Sequence, residues 1–142
     1  MRTRPPQLIY NNMKVLNLII KQNWFDEILS GKKTVEHREI RAKTAHRYVE
    51  YYDEDAKKVY KTYKEDEGGE NTICRPIKYD ALRFFVGYSK DRDSALVEVK
   101  GAEIVILTDE NGNDIVYEYD GREFVAAQID YKLGRVIEKN IH

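Results

Sequence analysis

The stretch WFDEILSGKKTVEHREI, residues 24–40, is where the chain changes from one periodicity to another. Trp24, Phe25, Ile28 and Leu29 fall at helical spacing, which predicts a helix of about two turns with one apolar face turned to a core. Asn23 stands where a capping side chain would sit, with Asp26 serving the first turn. Ser30-Gly31 ends the helix, because glycine enters the left-handed conformation at no steric cost. A helix this short is marginal in water, so packing has to hold it. Beyond the glycine, KTVEHREI (33–40) carries β-branched residues in mixed alternation and reads as a strand. Glu36 and Arg38 would then point to one face of that strand, with Lys33 at the turn before it.

Working outward, LNLIIK (16–21) is a short apolar run of the kind that forms a buried strand. On the other side, ALRFFVGY (81–88), ALVEVKGAEIVIL (95–107), DIVYEY (114–119) and FVAAQIDYKL (124–133) are strand-like, separated by the turn signals SKDRD, DENGN and DG. The order strand, helix, strand, then several strands argues against a parallel doubly wound sheet. It predicts an α+β fold: a curled, mostly antiparallel sheet closing into a small β-barrel, with one or two short helices. Residues 41–78 are ambiguous. Val49, Tyr52, Ala56, Val59 and Tyr63 suit an amphipathic helix, yet YVEYY and VYKTY suit two strands turning at DEDAKK. The expectation is a short helix over roughly 43–52, then irregular structure, with EDEGGEN (65–71) as a loop.

Length and composition bound the function. A chain of 142 residues fits one domain and can bury enough surface to fold without a disulfide or a metal. Its single cysteine, Cys74, cannot pair internally, which fits a reducing, cytoplasmic setting. No apolar stretch approaches the roughly 20 residues of a membrane span. The formal net charge of -1 exerts no global pull on nucleic acid, but residues 31–47 hold Lys32, Lys33, Arg38, Arg41, Lys43 and Arg47 against Glu36 and Glu39. This is either a local basic patch or an ordinary solvated charge run. His37 and His46 have no third ligand at metal spacing, and no cofactor motif is present, so neither a metal nor a cofactor is expected.

Gly31, Lys33, Glu36 and Arg38 complete the pattern Gly-x-Lys-x-x-Glu-x-Arg after a short helix, and in this the chain resembles the ASCH family. YDALRFFVGYSKD (79–91), ALVEVKGAEI (95–104) and YKLGRVIE (131–138) look like the later strands of its phage- and bacterial-type members. Residues 1–13 and roughly 44–76 lie outside the resemblance, so 13–142 would be the domain, about 44–76 an insertion and 1–12 an extension ahead of Met13. The resemblance implies a barrel like the pseudouridine-synthase-associated RNA-binding domain, with a motif-lined cleft that takes RNA or a nucleotide-like ligand. It also implies an alternative. A similar subgroup hydrolyses acetylcytidine through the motif lysine, with threonine at the position of Glu36. Here Glu36 replaces that threonine, so Lys33 and Glu36 would be the catalytic pair only if the chain is an amidohydrolase acting on an acylated nucleoside.

Physically, Arg38 can grip a phosphate or base edge with two parallel bonds, Lys33 offers a compact charge, and Glu36 can orient either cation or take a proton. The competing structural reading is an ion-pair network that pins the strand. Trp24 could stack a base or sit in the core, and Lys21 could charge the cleft or remain a solvated lysine. Arg83, Tyr88 and Lys90 could rim the site, and Tyr88 could simply pack. The tyrosines Tyr48, Tyr51, Tyr52, Tyr60 and Tyr63 could stack bases or form the private core of the insertion, and the core is the favoured reading. A third class of function is a protein-interaction adaptor using the acidic segment 53–70. Pro5-Pro6 and the lack of apolar periodicity predict that residues 1–12 are dispensable. A chain starting at Met13 is expected to keep nearly full thermal stability, and a large drop in melting temperature would show that the extension packs into the core.

Overall fold

The computed structural model describes residues 12–61 and 71–142. Ten strands and one α-helix are named among them: β1 (Val15–Ile20), α1 (Gln22–Ser30), β2 (Val35–Ile40), β3 (Val49–Asp53), β4 (Lys58–Tyr60), β5 (Thr72–Pro76), β6 (Ala81–Val86), β7 (Ser94–Ile106), β8 (Val116–Tyr119), β9 (Arg122–Val125) and β10 (Ala127–Asn140). Over the described residues the fold is therefore mostly β with one short α-helix. The strands form a five-stranded sheet in the order β1-β6-β7-β10-β2, a three-stranded sheet β4-β3-β5 and the hairpin β8-β9. The five-stranded sheet ends at β1 and β2, so its strand pairs do not close the expected barrel. Strands β1 and β6 run parallel and β6 and β7 antiparallel; a parallel pair needs a long crossover, which the chain between Ile20 and Ala81 supplies. No helix among the described residues is long and apolar enough to cross a membrane.

The chain divides into two compact units, the first within Met1–Val35, Lys78–Gly101 and Lys132–His142, the second within Glu36–Ile77 and Ala102–Tyr131. The first unit is built on β1 and its partner β6. Alternation buries Leu16, Leu18 and Ile20, which stand opposite Leu82, Phe84 and Val86 in register. Helix α1 covers this sheet with Phe25 and Ile28, both buried. Lys21, not Asn23, occupies the N-cap, and it makes no side-chain cap bond; the helix starts two residues earlier than the capping pattern suggests, leaving Asn23 exposed inside it. Gly31 does end the helix, at φ 83°, and donates to the Ile28 carbonyl over 3.2 Å. Leu29 is half-buried, while Trp24 is 45% exposed.

In the second unit the hairpin wins over the expected helix at 43–52. Only the 3-10 turn Ala45–Arg47 is helical, and β3 and β4 pair with Tyr52 opposite Val59. The physical reason is β5, whose Ile73 and Cys74 pair with Tyr52 and Tyr51 across the other edge of β3. A β-branched and aromatic segment gains more from pairing on both edges than from an isolated helix. Tyr48 is buried and Tyr51, Tyr52 and Tyr60 are half-buried, while Tyr63 and most of EDEGGEN lie outside the described residues. Strands β8 and β9 meet at Asp120-Gly121, both at positive φ (54° and 75°), the conformation of the tightest hairpin turns.

The turn after β3 depends on Asp53, which is buried. Its Oδ1 accepts the backbone N–H groups of Asp55 and Ala56 at 3.0 and 3.1 Å. Asp53→Ala removes the acceptor for both donors and is expected to cost about 1–3 kcal/mol in denaturant unfolding. Asp53→Asn keeps an acceptor oxygen and should cost clearly less; equal losses would mean that charge, and not the turn bonds, matters there.

Candidate functional site

The motif glycine and lysine belong to the first unit. The Lys33 backbone N–H returns to the Glu27 carbonyl, 3.0 Å away, so the turn after Gly31 folds back on the helix end. The Lys33 ammonium consequently lies 5.5 Å from the centre of the Trp24 ring. Trp24 owes its outward position to Phe25 and Ile28, which take the buried face of α1. Of the alternatives for Trp24, the core is thereby excluded. Lys21 is exposed at the N-cap, and Tyr88 is 85% exposed just after Gly87. Arg83 is not an open rim cation: its guanidinium lies 3.6 Å from Glu138. Lys90 is exposed.

Glu36 and Arg38 belong to the second unit and share one face of β2, as alternation requires. Glu36 is buried, its side chain 7% exposed, and its Oε2 accepts the Arg38 Nε–H over 2.7 Å; Arg38 keeps 24% of its side chain exposed. The carboxylate thus fixes the plane of the guanidinium. The opposite face of the strand holds a second network. His37 Nδ1 lies 2.6 Å from Asp130 Oδ1, and Gln128 Nε2 donates to the same oxygen over 2.9 Å. At the strand end, Arg41 donates to Glu39 over 3.0 Å, with both side chains more than half exposed. No group of three His, Cys, Asp or Glu among the described residues is placed to hold a metal ion.

The second unit also forms a partly open apolar pocket of about 280 Å³, walled by Ile40, Val49, Tyr51, Ile104 and Phe124 among others. Cys74 lines it; the residue as a whole is exposed, but partial desolvation of its thiol against the pocket pushes the thiol up from the ordinary value. A larger groove of about 520 Å³ lies along Glu39, Arg41, Lys43, Ile115, Tyr117 and Tyr119. Neither was foreseen from the sequence. Their walls come from strands far apart in the chain, and no local spacing marks such a set; only the basic excess over 31–47 pointed to Arg41 and Lys43.

No family model, no curated protein and no solved structure matches the chain.

The two carboxylate–arginine pairs on β2 and just past its end make a built-in contrast. Glu36→Ala leaves a half-buried guanidinium short of its partner and is expected to cost about 2 kcal/mol, between the values for exposed and fully buried pairs. Glu39→Ala, at an exposed pair, should cost less than about 1 kcal/mol. Chemical denaturation of both variants checks this; equal losses would show that Glu36 contributes no more than a surface charge.

Proposed function

We propose that this chain is a binding module for RNA or a nucleotide-like ligand, with Trp24 and Lys33 as its ligand face in the first unit. The observation that carries this reading is Trp24, a large aromatic ring 45% exposed with an ammonium 5.5 Å from its centre. Exposing the ring of a tryptophan forfeits much of the free energy that burying it would release. A base stacked on the ring recovers that loss, and Lys33 supplies the charge for a neighbouring phosphate. Lys21 and Tyr88, both exposed in the same unit, are candidates for further contacts. In the second unit, Arg38 is a candidate anion contact whose orientation Glu36 fixes. A relation to the ASCH family goes with this reading, as does the barrel arrangement of its strands. Both rest on Gly31, Lys33, Glu36 and Arg38 and on the order of the elements.

Trp24 is the only tryptophan, so its fluorescence reports directly on stacking. Titration with a short oligouridylate is expected to quench it saturably. Trp24→Ala should weaken binding of the labelled strand by about 1–3 kcal/mol, read by anisotropy, with little change in melting temperature. Lys33→Ala should lower affinity and flatten its dependence on salt. Arg38→Lys keeps the charge but loses the planar fork, and should bind less well than the wild type. Unchanged affinity in all three variants would sink the reading. Turnover of an acylated cytidine that disappears with Lys33→Ala would move the chain to the amidohydrolases.

A further inference from the structure

We infer a second ligand site in the second unit: the groove between the Glu39–Lys43 segment and strand β8 takes one nucleotide, its base against Tyr119 and its phosphate at Arg41 and Lys43. This does not rest on Trp24, which belongs to the other unit. The groove measures about 520 Å³, within the range of roughly 300–1,000 Å³ typical of small-molecule sites. Its composition is that of a site for a planar ring carrying an anion. Ile115 and Tyr119 line it while 42% and 39% exposed, so apolar surface stands open to solvent inside a concavity. Arg41, Lys43 and Glu39 line it too and sum to one positive charge. Glu39 holds Arg41 through a bond of 3.0 Å between Oε2 and one terminal nitrogen of the guanidinium, which orients the planar fork.

The aromatic wall is braced by contacts within the unit. The Tyr117 hydroxyl accepts the Ala42 backbone N–H at 3.0 Å, tying β8 to the basic segment across the groove. The Tyr117 ring stacks on Phe124 at 5.8 Å between centres and 25° between planes, and Tyr119 meets the same Phe124 edge-on at 6.4 Å. Tyr119 is thus propped from behind while one side stays open. The turn at Asp120-Gly121 fixes the two strands in register, with Tyr119 opposite Arg122. Preorganised rings and an oriented guanidinium spare a ligand the ordering cost that flexible side chains would impose. Neither an aliphatic ligand nor a bare phosphate uses both halves of this groove; a nucleotide does, whether free or as one unit of a single strand.

The test follows backbone amide resonances of the full chain during titration with uridine 5′-monophosphate, uridine, inorganic phosphate and a short oligouridylate. Uridine monophosphate is expected to shift Ala42, Lys43 and Tyr119 saturably. Uridine and phosphate alone should each bind about fivefold or more weakly, since each forfeits one half of the contacts. Tyr119→Ala and Lys43→Glu should each weaken the nucleotide by about fivefold or more with the melting temperature kept. With uridine monophosphate as the ligand, Trp24→Ala should leave these shifts intact, since Trp24 belongs to the other unit. An oligomer that binds more tightly than the mononucleotide identifies the strand as the source; equal affinity identifies the free nucleotide. The site is overturned if no nucleotide shifts these amides saturably, if Tyr119→Ala binds as the wild type does, or if Trp24→Ala abolishes the shifts.

Discussion

The register of β1 against β6 is the constraint on which the first unit depends. Side chains on a strand alternate, so only one register puts Leu16, Leu18 and Ile20 on the buried face beside Leu82 and Phe84. A slip of one residue would bring Asn17 inward and turn three large apolar groups to solvent. Val15 and Ile19 would turn inward in place of two of them, so the net penalty is one large apolar side chain exposed, roughly 1.5–3 kcal/mol, together with burial of the Asn17 amide. With the sheet face fixed, α1 has one way to lie on it, with Phe25 and Ile28 down. Trp24, one position before Phe25, is carried round the helix by about 100° and points away. Its exposure is a consequence of the core and not a local accident.

The Glu36–Arg38 pair poses a different question. A carboxylate with 7% of its side chain exposed loses most of its hydration, and pairing with a cation in such a setting repays that loss only in part. Apolar residues of the same size would pack β2 at no such penalty. Retaining the pair therefore makes more sense for what it orients than for what it stabilises. Nε–H engagement leaves the flat outer edge of Arg38 in a defined direction, and about a quarter of the side chain reaches solvent. His37 on the opposite face has its own carboxylate, Asp130, so the two faces of β2 carry separate networks that do not compete for partners.

What could be read from the sequence divides along the range of the interactions involved. The helix between β1 and β2, its glycine stop and the strands after residue 80 are set by local periodicity and turn chemistry, and they stand close to where periodicity puts them. Local signals misplaced the helix start, because Asn23 resembles a cap while Lys21 already has the extended backbone of one, with φ -79° and ψ 150°. Residues 49–60 fit two templates equally well, and the arbiter was β5, some twenty residues on. FVAAQIDYKL was one run to the eye but is two strands. Ala126 breaks it by donating to the Ile115 carbonyl and accepting from the Leu107 N–H, which hands the chain from the β8 partner to β10. Of the site, the helical pattern located Trp24 but not its exposure, which depends on how the apolar face is shared. The groove on β8 was invisible, since it needs β2 and β8, whose residues are more than seventy positions apart.

Charge and aromatic surface together limit how this chain can hold a nucleic acid. With a net charge of -1, long-range attraction to phosphate is absent, and acidic residues oppose the basic ones outside 31–47. The candidate contacts number only a few cations: Lys21 and Lys33 in one unit, Arg38, Arg41 and Lys43 in the other. On a single strand each neutralised phosphate adds about 0.7 to the logarithmic salt slope, so either unit alone gives a slope of roughly two or less. Binding of that kind is not built on counterion release. It has to draw on stacking, and each unit does expose an aromatic ring beside a cation, Trp24 with Lys33 and Tyr119 with Arg41 and Lys43. Stacking tolerates any base and acts at contact distance. The proposed ligands are therefore short and unpaired; a duplex, whose bases are already stacked on each other, offers neither unit the surface it presents.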